Sequence, residues 1–263
     1  MNVAGKIVVV TGGGSGIGKA MCHAFHRAGA AKLVVADIDS AAAGQVAKAT
    51  NGRAFSCDVT QEAQITALVE TIESAHGPID LFCSNAGIAS GFDQRTENAA
   101  AAPDEIWNRA WSLNVMAHVY AARALIPLMK ARGGGYLLNT VSAAGLLSQI
   151  GSAVYTTTKH AALGFAENVA IMHRDDNIKV SVLCPQGVDT PLLRNLPAGP
   201  QSLDGVLSAD EVAQVVLQGL DSEAFLILPH AAVRRYFLKK AEDEERWLDG
   251  MVRLKRKLQG SAE

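Results

Sequence analysis

The chain has 263 residues with a formal net charge of −2, and 49% of its residues are hydrophobic and 19% charged. This length accommodates one large α/β domain or two small ones, and the apolar fraction supplies a sizeable core, which excludes a disordered chain. The balanced charge gives no general attraction to nucleic acid, and no apolar run approaches the roughly 18 residues of a membrane span, so neither a nucleic-acid partner nor a span is expected.

The N-terminal segment MNVAGKIVVVTG enters a predicted strand almost at once. It has no charged region followed by an apolar stretch and a cleavage site, so no signal peptide is expected. The cysteines have no C-x-x-C spacing and lie mostly in apolar runs, and the histidines form no ligand-spaced cluster. We therefore expect a cytoplasmic protein with buried, reduced thiols and no metal site.

Short β-branched and apolar runs alternate with helical segments along the whole chain. The predicted strands are residues 6–12, 32–39, 53–59, 79–87, 135–142, 179–187 and 224–229. Because the connections are too long for hairpins, we expect parallel pairing with right-handed crossovers. The pattern predicts an α/β fold, in which residues 1–263 form a single domain with one doubly wound parallel sheet and helices on both faces.

The helical segments are less sharply bounded than the strands. The first carries an apolar stripe over residues 17–28 and ends before Gly29, and Ser40 is the predicted N-cap of the next. Longer helices are predicted at about 104–132 and 153–173.

A glycine-rich segment, TGGGSGIG (11–18), joins the first predicted strand to the first predicted helix. Its spacing is G-x-x-x-G-x-G, carried by Gly12, Gly16 and Gly18. Glycine permits a tight turn and lets a pyrophosphate approach the backbone, and the helix N-terminus supplies amide donors and a partial positive charge. The segment predicts a dinucleotide-binding loop of a Rossmann-like fold, with Ser15 and Ile17 also contacting the cofactor.

Asp37 ends the second predicted strand, about 20 residues beyond the loop, where a carboxylate accepts hydrogen bonds from the adenosine ribose. The same carboxylate would repel a 2′-phosphate, and residues 11–18 contain no lysine or arginine to attract one. We therefore predict NAD rather than NADP as cofactor. The alternative is an ordinary surface aspartate that holds a turn with Asp39.

A tyrosine and a lysine lie four residues apart in YTTTK (155–159), on one face of a predicted helix. Ser142 stands at the end of the preceding predicted strand. Tyr236 and Lys240 in YFLKK repeat the Y-x-x-x-K spacing within a charged C-terminal helix, and we interpret this second pair as an incidental surface pair.

The order and spacing of these motifs resemble the short-chain dehydrogenase/reductase family over nearly the whole chain. The resemblance rests on the glycine loop, Asp58 in CDV, NAG (85–87), Asn114 in SLNVMA, Ser142 and YTTTK. It implies cofactor contacts from Asp58, Val59, Asn85, Ala86, Gly87, Pro185, Val188 and Thr190. It also implies that Asn114 holds a water that links the lysine to solvent, and that the protein is a homotetramer or homodimer.

In the reaction that the resemblance implies, Tyr155 exchanges a proton with a small-molecule secondary alcohol or ketone as hydride moves to or from the nicotinamide. Lys159 would favour the phenolate and bind the nicotinamide ribose, and Ser142 would hydrogen-bond the substrate oxygen. Lowering the tyrosine pKa from about 10 toward 7 requires roughly 4 kcal/mol of preferential stabilisation of the anion. We expect a partly desolvated lysine and a nearby cationic nicotinamide to supply much of it together. The intervening threonines are interpreted as helix filler.

The substrate side departs from the family pattern at Gln186, which follows Pro185 where a glycine is usual, and we expect it to reshape the nicotinamide edge of the pocket. The segment 191–205 predicts a mobile lid. Six apolar residues are predicted to line the pocket: Leu146, Leu147, Ile150, Leu192, Leu193 and Leu196. They favour a hydrophobic substrate, such as a steroid-like or terpenoid alcohol, unless they pack in the core or in a subunit contact.

A helical extension is predicted at about 231–258, with Trp247, Met251, Leu254 and Leu258 on one stripe. We expect this stripe to pack on its own domain or a neighbouring subunit rather than on a membrane surface.

Two other functions are weighed against an NAD-dependent alcohol dehydrogenase. One is a catalytically silent NAD-binding sensor or scaffold, which the intact Ser142, Tyr155 and Lys159 disfavour. The other is an NADP-dependent ketoreductase, which Asp37 disfavours.

Overall fold

A seven-stranded parallel sheet forms the centre of the computed structural model, which describes residues 1–93, 98–197 and 199–260. In chain order the strands are β1 (Ile7–Thr11), β2 (Lys32–Asp37), β3 (Arg53–Ser56), β4 (Leu81–Ser84), β5 (Gly135–Thr140), β6 (Ile178–Leu183), β7 (Val188–Asp189), β8 (Leu207–Ser208) and β9 (Leu226–Ile227). The large sheet has the order β3-β2-β1-β4-β5-β6-β9, and β7 and β8 form a separate parallel pair. The strand order reverses between β1 and β4, which confirms the predicted doubly wound fold.

Helices cover both faces of this sheet. In chain order they are α1 (Gly16–Arg27), α2 (Ser40–Ala49), α3 (Glu62–His76), α4 (Asp104–Trp111), α5 (Ala117–Ala131), α6 (Ala153–Met172), α7 (Pro191–Arg194), α8 (Ala209–Asp221), α9 (Ala231–Glu242) and α10 (Glu244–Gly260). The helix predicted over 104–132 is α4 and α5 joined by a π-helical segment, Ser112–Met116. Buried residues of α3, α5 and α6 pack on one face of the sheet, and those of α1, α2 and α8 on the other.

Successive side chains of the inner strands β1, β2, β4, β5 and β6 enter two different apolar cores. Val9, Val34 and Phe82 pack with the first group of helices, whereas Val8 and Val35 pack with the second. All five are at most 1% exposed. Because burying such a side chain contributes about 1.5–3 kcal/mol, the strands are fixed from both sides and hold the loops at their carboxyl ends on a rigid base.

The N-terminus of α2 differs from the prediction by one residue. Asp39, rather than Ser40, is the N-cap, since its carboxylate accepts a hydrogen bond from the Ala42 amide at 2.9 Å. The Asp39 amide in turn donates to Asp37 Oδ1 at 3.0 Å. This bond fixes the turn after β2 and places Asp39 in the N-cap position, for which aspartate is as suitable as serine.

The extension predicted over 231–258 is two helices rather than one. Asp243 has an extended backbone (φ −154°) between them, and its carboxylate accepts the Arg246 amide at 3.0 Å, which caps α10. α9 is anchored in the core by Val233, whereas α10 contains no buried residue. Among the described residues, none of the helices is both long enough and apolar enough to cross a membrane.

Candidate active site

The glycine loop between β1 and α1 is closed by contacts that leave no room for side chains. Gly12 (φ +62°) and Gly16 (φ +51°) have left-handed backbones, which favour glycine. A β-carbon on Gly18 would lie 2.1 Å from the Gly12 carbonyl oxygen. Ser15 is the N-cap of α1 but makes no side-chain capping bond, so the first-turn amides of α1 are available to an anion.

Asn85, which follows β4, ties this loop to the sheet. Its amide nitrogen donates to Thr11 O at 3.0 Å, and its amide oxygen accepts from Thr140 Oγ1 at 3.0 Å. The carboxyl ends of β1 and β5 are therefore cross-linked by one side chain from the segment after β4.

Asp37, at the carboxyl end of β2, is hydrogen-bonded to the glycine loop and lines the cavity along the carboxyl ends of the strands. Its Oδ2 accepts the Gly14 amide at 2.9 Å, and its Oδ1 accepts the Asp39 amide. The contact with Asp39 is the one that the alternative interpretation anticipated. Each carboxylate oxygen retains a second lone pair for a ligand hydroxyl.

One cavity of about 1250 Å³ runs along the carboxyl ends of the strands. Of the predicted site residues, sixteen line it: Gly12, Ser15, Gly16, Ile17, Asp37, Asp58, Val59, Asn85, Ala86, Gly87, Ser142, Tyr155, Lys159, Pro185, Val188 and Thr190. Gly18 and Asn114 do not line the cavity; Gly18 packs against the Gly12 carbonyl, and Asn114 is hydrogen-bonded to Ile88. The cavity exceeds the usual 300–1,000 Å³ of a small-molecule site, so it has room for a dinucleotide beside a second ligand.

Ser142 and Tyr155 are placed by two different capping arrangements. Ser142 follows β5, and its Oγ accepts the Ala144 amide at 3.1 Å at the start of a 3-10 turn. Tyr155 lies in the first turn of α6, where its amide donates to the N-cap Ser152 Oγ at 3.0 Å. Burial raises the pKa of Tyr155, and a hydrogen bond with Ser142 partly offsets that rise.

Lys159 reaches toward the end of β5. Its Nζ donates to Thr140 O at 3.3 Å and lies 5.7 Å from the centroid of the Tyr155 ring. Burial lowers the pKa of Lys159 to about 8, with Cys184 opposing the shift. The sequence predicts a tyrosine pKa that is lowered by this lysine together with a cationic nicotinamide. In the protein alone, burial disfavours the phenolate and outweighs the hydrogen bond with Ser142, so the predicted lowering depends on the bound cofactor.

Asn114 lies within the π-helical segment and is hydrogen-bonded to its neighbours through both amide atoms. Its Oδ1 accepts the Ile88 amide at 2.9 Å, and its Nδ2 donates to Ile88 O at 3.0 Å and to Thr158 Oγ1 at 3.1 Å. Thr158 is completely buried. The interpretation of the threonines as helix filler is therefore wrong for Thr158, which connects α6 to Asn114.

A gap remains between Asn114 and Lys159 because residue 87 is glycine. A β-carbon on Gly87 would lie 3.2 Å from Asn114 Oδ1 and 3.4 Å from Lys159 Nζ. The gap is thus bounded by an amide oxygen and an amine, which are suitable partners for a water molecule.

His118 is a second buried polar residue that the sequence did not single out. Its Nδ1 lies 2.8 Å from Ser84 Oγ, and burial, helped by the charge of Lys159, lowers its pKa to about 3. The imidazole is therefore neutral near pH 7. The local sequence of α5 gives no sign that the side chain of His118 is buried rather than exposed.

Gln186 lines the cavity and is held on both sides. Its backbone amide donates to His230 Nδ1 at 3.2 Å, and its Nε2 donates to Asp204 Oδ2 at 3.1 Å. Tyr236 donates to the other oxygen of Asp204 at 2.9 Å and also lines the cavity. The interpretation of Tyr236 and Lys240 as an incidental surface pair is therefore wrong, because α9 brings Tyr236 to the rim of the site.

The predicted apolar lining is correct for four of the six residues. Leu147, Leu192, Leu193 and Leu196 line the cavity. Leu146 is 3% exposed and packs in the core instead, and Ile150 lies outside the lining. Leu146 and Leu147 are adjacent in the chain and point in different directions, so spacing alone could not separate them.

The segment predicted as a lid, 191–205, contains α7 and a 3-10 turn at Pro200–Ser202. Position 198 of this segment lies outside the described residues. Gln201 connects the segment to the site, since its carbonyl accepts the Gly187 amide at 2.7 Å and its Oε1 accepts from Gln149 Nε2 at 3.0 Å. Thr190 caps α7 and lies against Gly16, where a β-carbon would be 3.2 Å from its methyl group.

The chain is similar to known proteins both in sequence and in structure. Residues 6–201 match the family model described as short chain dehydrogenase. The chain is 34% identical over 242 residues to 1-deoxy-11-beta-hydroxypentalenate dehydrogenase of Streptomyces exfoliatus, covering 89% of this chain and 86% of that protein. It is 30% identical to human epidermal retinol dehydrogenase 2, over 90% of this chain and 78% of that protein. A short chain dehydrogenase/reductase from Burkholderia phymatum, solved in complex with NAD, superposes with a TM-score of 0.82 at 27% identity, covering 93% of this chain and 96% of that one.

Proposed function

The chain belongs to the short-chain dehydrogenase/reductase family, and we propose that it is an NAD-dependent oxidoreductase that acts on a hydrophobic secondary alcohol or ketone. The relatives support the coarser assignment, an NAD(P)-dependent oxidoreductase. The observation that carries the proposal is the single cavity that Asp37 lines together with Ser142, Tyr155 and Lys159.

The residues around the cavity fit a dinucleotide. The first-turn amides of α1 and the tight turn at Gly12 suit a pyrophosphate, and Asp37 offers free lone pairs to a ribose. Asp58, Val59, Asn85, Ala86 and Gly87 would hold the adenine half. Pro185, Val188 and Thr190, with Lys159, would hold the nicotinamide half. Once bound, the cofactor supplies the hydride acceptor or donor and, when oxidised, a positive charge.

Tyr155 is the proposed general acid and base. In alcohol oxidation its phenolate accepts the hydroxyl proton, and in ketone reduction its hydroxyl returns that proton to the oxygen. Ser142 donates a hydrogen bond to the same oxygen and stabilises the charge that develops there. Because burial raises the pKa of Tyr155 in the protein alone, the positive charges of Lys159 and the bound cofactor are both needed to favour the phenolate.

We further propose that a water in the gap beside Gly87 links Lys159 to Asn114, and Gly87→Ala tests this. The new β-carbon would occupy the gap at 3.2 Å from Asn114 Oδ1, so kcat should fall by about tenfold or more. Because Gly87 also lines the cavity proposed for the cofactor, NAD affinity should fall as well, but by a smaller factor. The φ angle of Gly87 is not in the left-handed range, so alanine suits the backbone. Steady-state kinetics and calorimetric NAD titration measure the two effects.

Gly164→Ala is the matched control, because a β-carbon on Gly164 of α6 meets no atom within 4 Å. An unchanged kcat in Gly87→Ala, or an equal fall in both variants, would contradict the proposed water link.

The preference for NAD is tested by Asp37→Ala. Removing the carboxylate deletes a ribose acceptor and the repulsion of a 2′-phosphate. The ratio of kcat/KM for NAD over NADP should therefore fall by about tenfold or more. Asp39→Ala removes a neighbouring carboxylate that caps α2 but does not line the cavity, and should leave the ratio unchanged. An unaltered ratio in Asp37→Ala would refute the ribose role, and a wild-type protein that prefers NADP would favour the ketoreductase function.

A hydrophobic substrate is supported by Leu147, Leu192, Leu193 and Leu196 in the cavity wall. The two relatives are a 1-deoxy-11-beta-hydroxypentalenate dehydrogenase and a retinol dehydrogenase. Screening secondary alcohols of increasing apolar size with NAD, with NADH formation as the signal, tests the substrate class. A cytoplasmic location and a homodimer or homotetramer, expected from the sequence, belong to the same proposal.

A further inference from the structure

The last helix, α10, is an unusual wall for a cavity. None of its residues is buried, and within the described chain its most extensive packing is against α9. It nevertheless bounds the cavity that contains Ser142 and Tyr155. Because α10 buries none of its residues and packs mainly on α9, an apolar ligand in the cavity would add to the few contacts that the helix makes.

One face of α10 is turned toward the cavity. Trp247, Gly250, Met251 and Leu254 follow helical spacing and all line it. The apolar residues on the next face, Leu248 and Val252, are 45% and 44% exposed and do not line it. The two faces can therefore be tested separately by matched substitutions.

α9 connects α10 to the active-site loops. Lys240 Nζ donates to Leu146 O at 3.1 Å, in the loop that follows Ser142, and lies 4.9 Å from the centroid of the Trp247 ring. Tyr236, one turn earlier, reaches Gln186 through Asp204. α10 is thus connected through α9 to the loop that follows Ser142 and to the segment that contains Gln186.

We propose that the Trp247, Met251 and Leu254 face of α10 binds the apolar body of the substrate and selects a bulky, multi-ring secondary alcohol or ketone over a small one. This inference rests on the proposed function and adds the specificity-determining residues. The face from Trp247 to Leu254 extends about 10 Å along the helix axis, at 1.5 Å per residue. A fused-ring body can span that length while its hydroxyl lies at Tyr155, whereas a single ring leaves most of the face uncovered.

The exposed charges that line the cavity near this face are of both signs: Lys239, Arg246 and Arg253 against Glu242 and Asp243. The excess of one positive charge, carried by exposed side chains, gives only a weak preference for an anionic ligand. The selection that α10 makes is therefore by apolar area.

The kinetic test compares Trp247→Ala and Met251→Ala with Leu248→Ala and Val252→Ala. We expect the first two to lower kcat/KM for a fused-ring secondary alcohol by about tenfold or more, mainly through KM. Their kcat/KM for cyclohexanol should change by less than about twofold, and the two control variants should resemble wild type with both substrates. Equal losses with both alcohols, or no loss with the fused-ring alcohol, would overturn the proposal.

A binding measurement separates this proposal from the proposed reaction. Trp247 emission should change when a fused-ring ketone is added in the presence of NAD, and the change should be absent in Trp247→Phe. If wild type oxidises no secondary alcohol but the emission change occurs, the proposed function fails and the binding face stands. If Trp247→Ala lowers the oligomeric mass measured by light scattering, the face is a subunit contact and the proposal is wrong.

Discussion

Tyr155→Phe is expected to lower kcat by about 10³-fold or more while NAD affinity stays within about twofold of wild type. The substitution removes only the hydroxyl. The ring keeps its contacts with Phe92, at a centroid separation of 5.9 Å, and with Lys159. The lost hydroxyl is the one that is hydrogen-bonded to Ser142, and it is the proposed proton donor and acceptor. Single-turnover NADH formation and a calorimetric NAD titration measure the two quantities.

The chain supplies its own control in Tyr236→Phe. Tyr236 has the same Y-x-x-x-K spacing and lines the same cavity, but its hydroxyl donates to Asp204. Its loss should reduce kcat by less than about tenfold, since one exposed hydrogen bond is removed. Equal activity in Tyr155→Phe and wild type would rule out Tyr155 as the acid and base. A wild-type protein that binds NAD yet oxidises no alcohol in the screen would favour the sensor function.

The sheet and the cofactor side of the site could be predicted because both depend on local patterns. The inner strands of the sheet are short apolar runs, and the carboxyl ends of parallel strands meet at one edge of the sheet. Gly12 follows β1, Asn85 follows β4 and Ser142 follows β5. Knowing the strand ends was therefore sufficient to bring these residues together without knowing any tertiary contact.

The substrate side could not be predicted because it depends on contacts between distant segments. Tyr236 reaches Asp204 across 32 positions, and Lys240 reaches Leu146 across 94. Neither contact leaves a periodic signal in the sequence. Thr158 was missed for the same reason, since its partner Asn114 is 44 positions away.

The pKa of Tyr155 shows a different limit of sequence reasoning. The spacing of Tyr155 and Lys159 correctly placed both on one helix face, and the ammonium lies near the ring. Spacing carries no information about how deeply the pair is buried. Burial shifts the pKa of the tyrosine upward and that of the lysine downward, so both groups tend toward their neutral forms.

Gly18→Ala is expected to lower Tm by on the order of 10 °C and to weaken NAD binding by about tenfold or more. In an open helix the same change would add up to about 1 kcal/mol of stability. Here the new β-carbon would lie 2.1 Å from Gly12 O and 2.6 Å from Asn85 Nδ2. Gly12 cannot move away easily, because its left-handed backbone conformation and the hydrogen bond from Asn85 Nδ2 to its carbonyl oxygen fix its position.

Gly44→Ala provides the opposite expectation with the same chemical change. Gly44 lies inside α2, and a β-carbon there meets no atom within 4 Å. Its Tm should rise slightly and its NAD affinity should remain that of wild type. Differential scanning calorimetry measures the Tm of the two variants, and titration measures their NAD affinity. The difference between the variants reports how closely α1 packs on the glycine loop. If Gly18→Ala matched Gly44→Ala in both measurements, the loop would tolerate a side chain at its tightest point, and a nucleotide cradle built on bare backbone would be refuted. If Gly18→Ala lost NAD affinity but kept the wild-type Tm, the helix and strand would have accommodated the methyl group. The substitution would then affect cofactor binding alone.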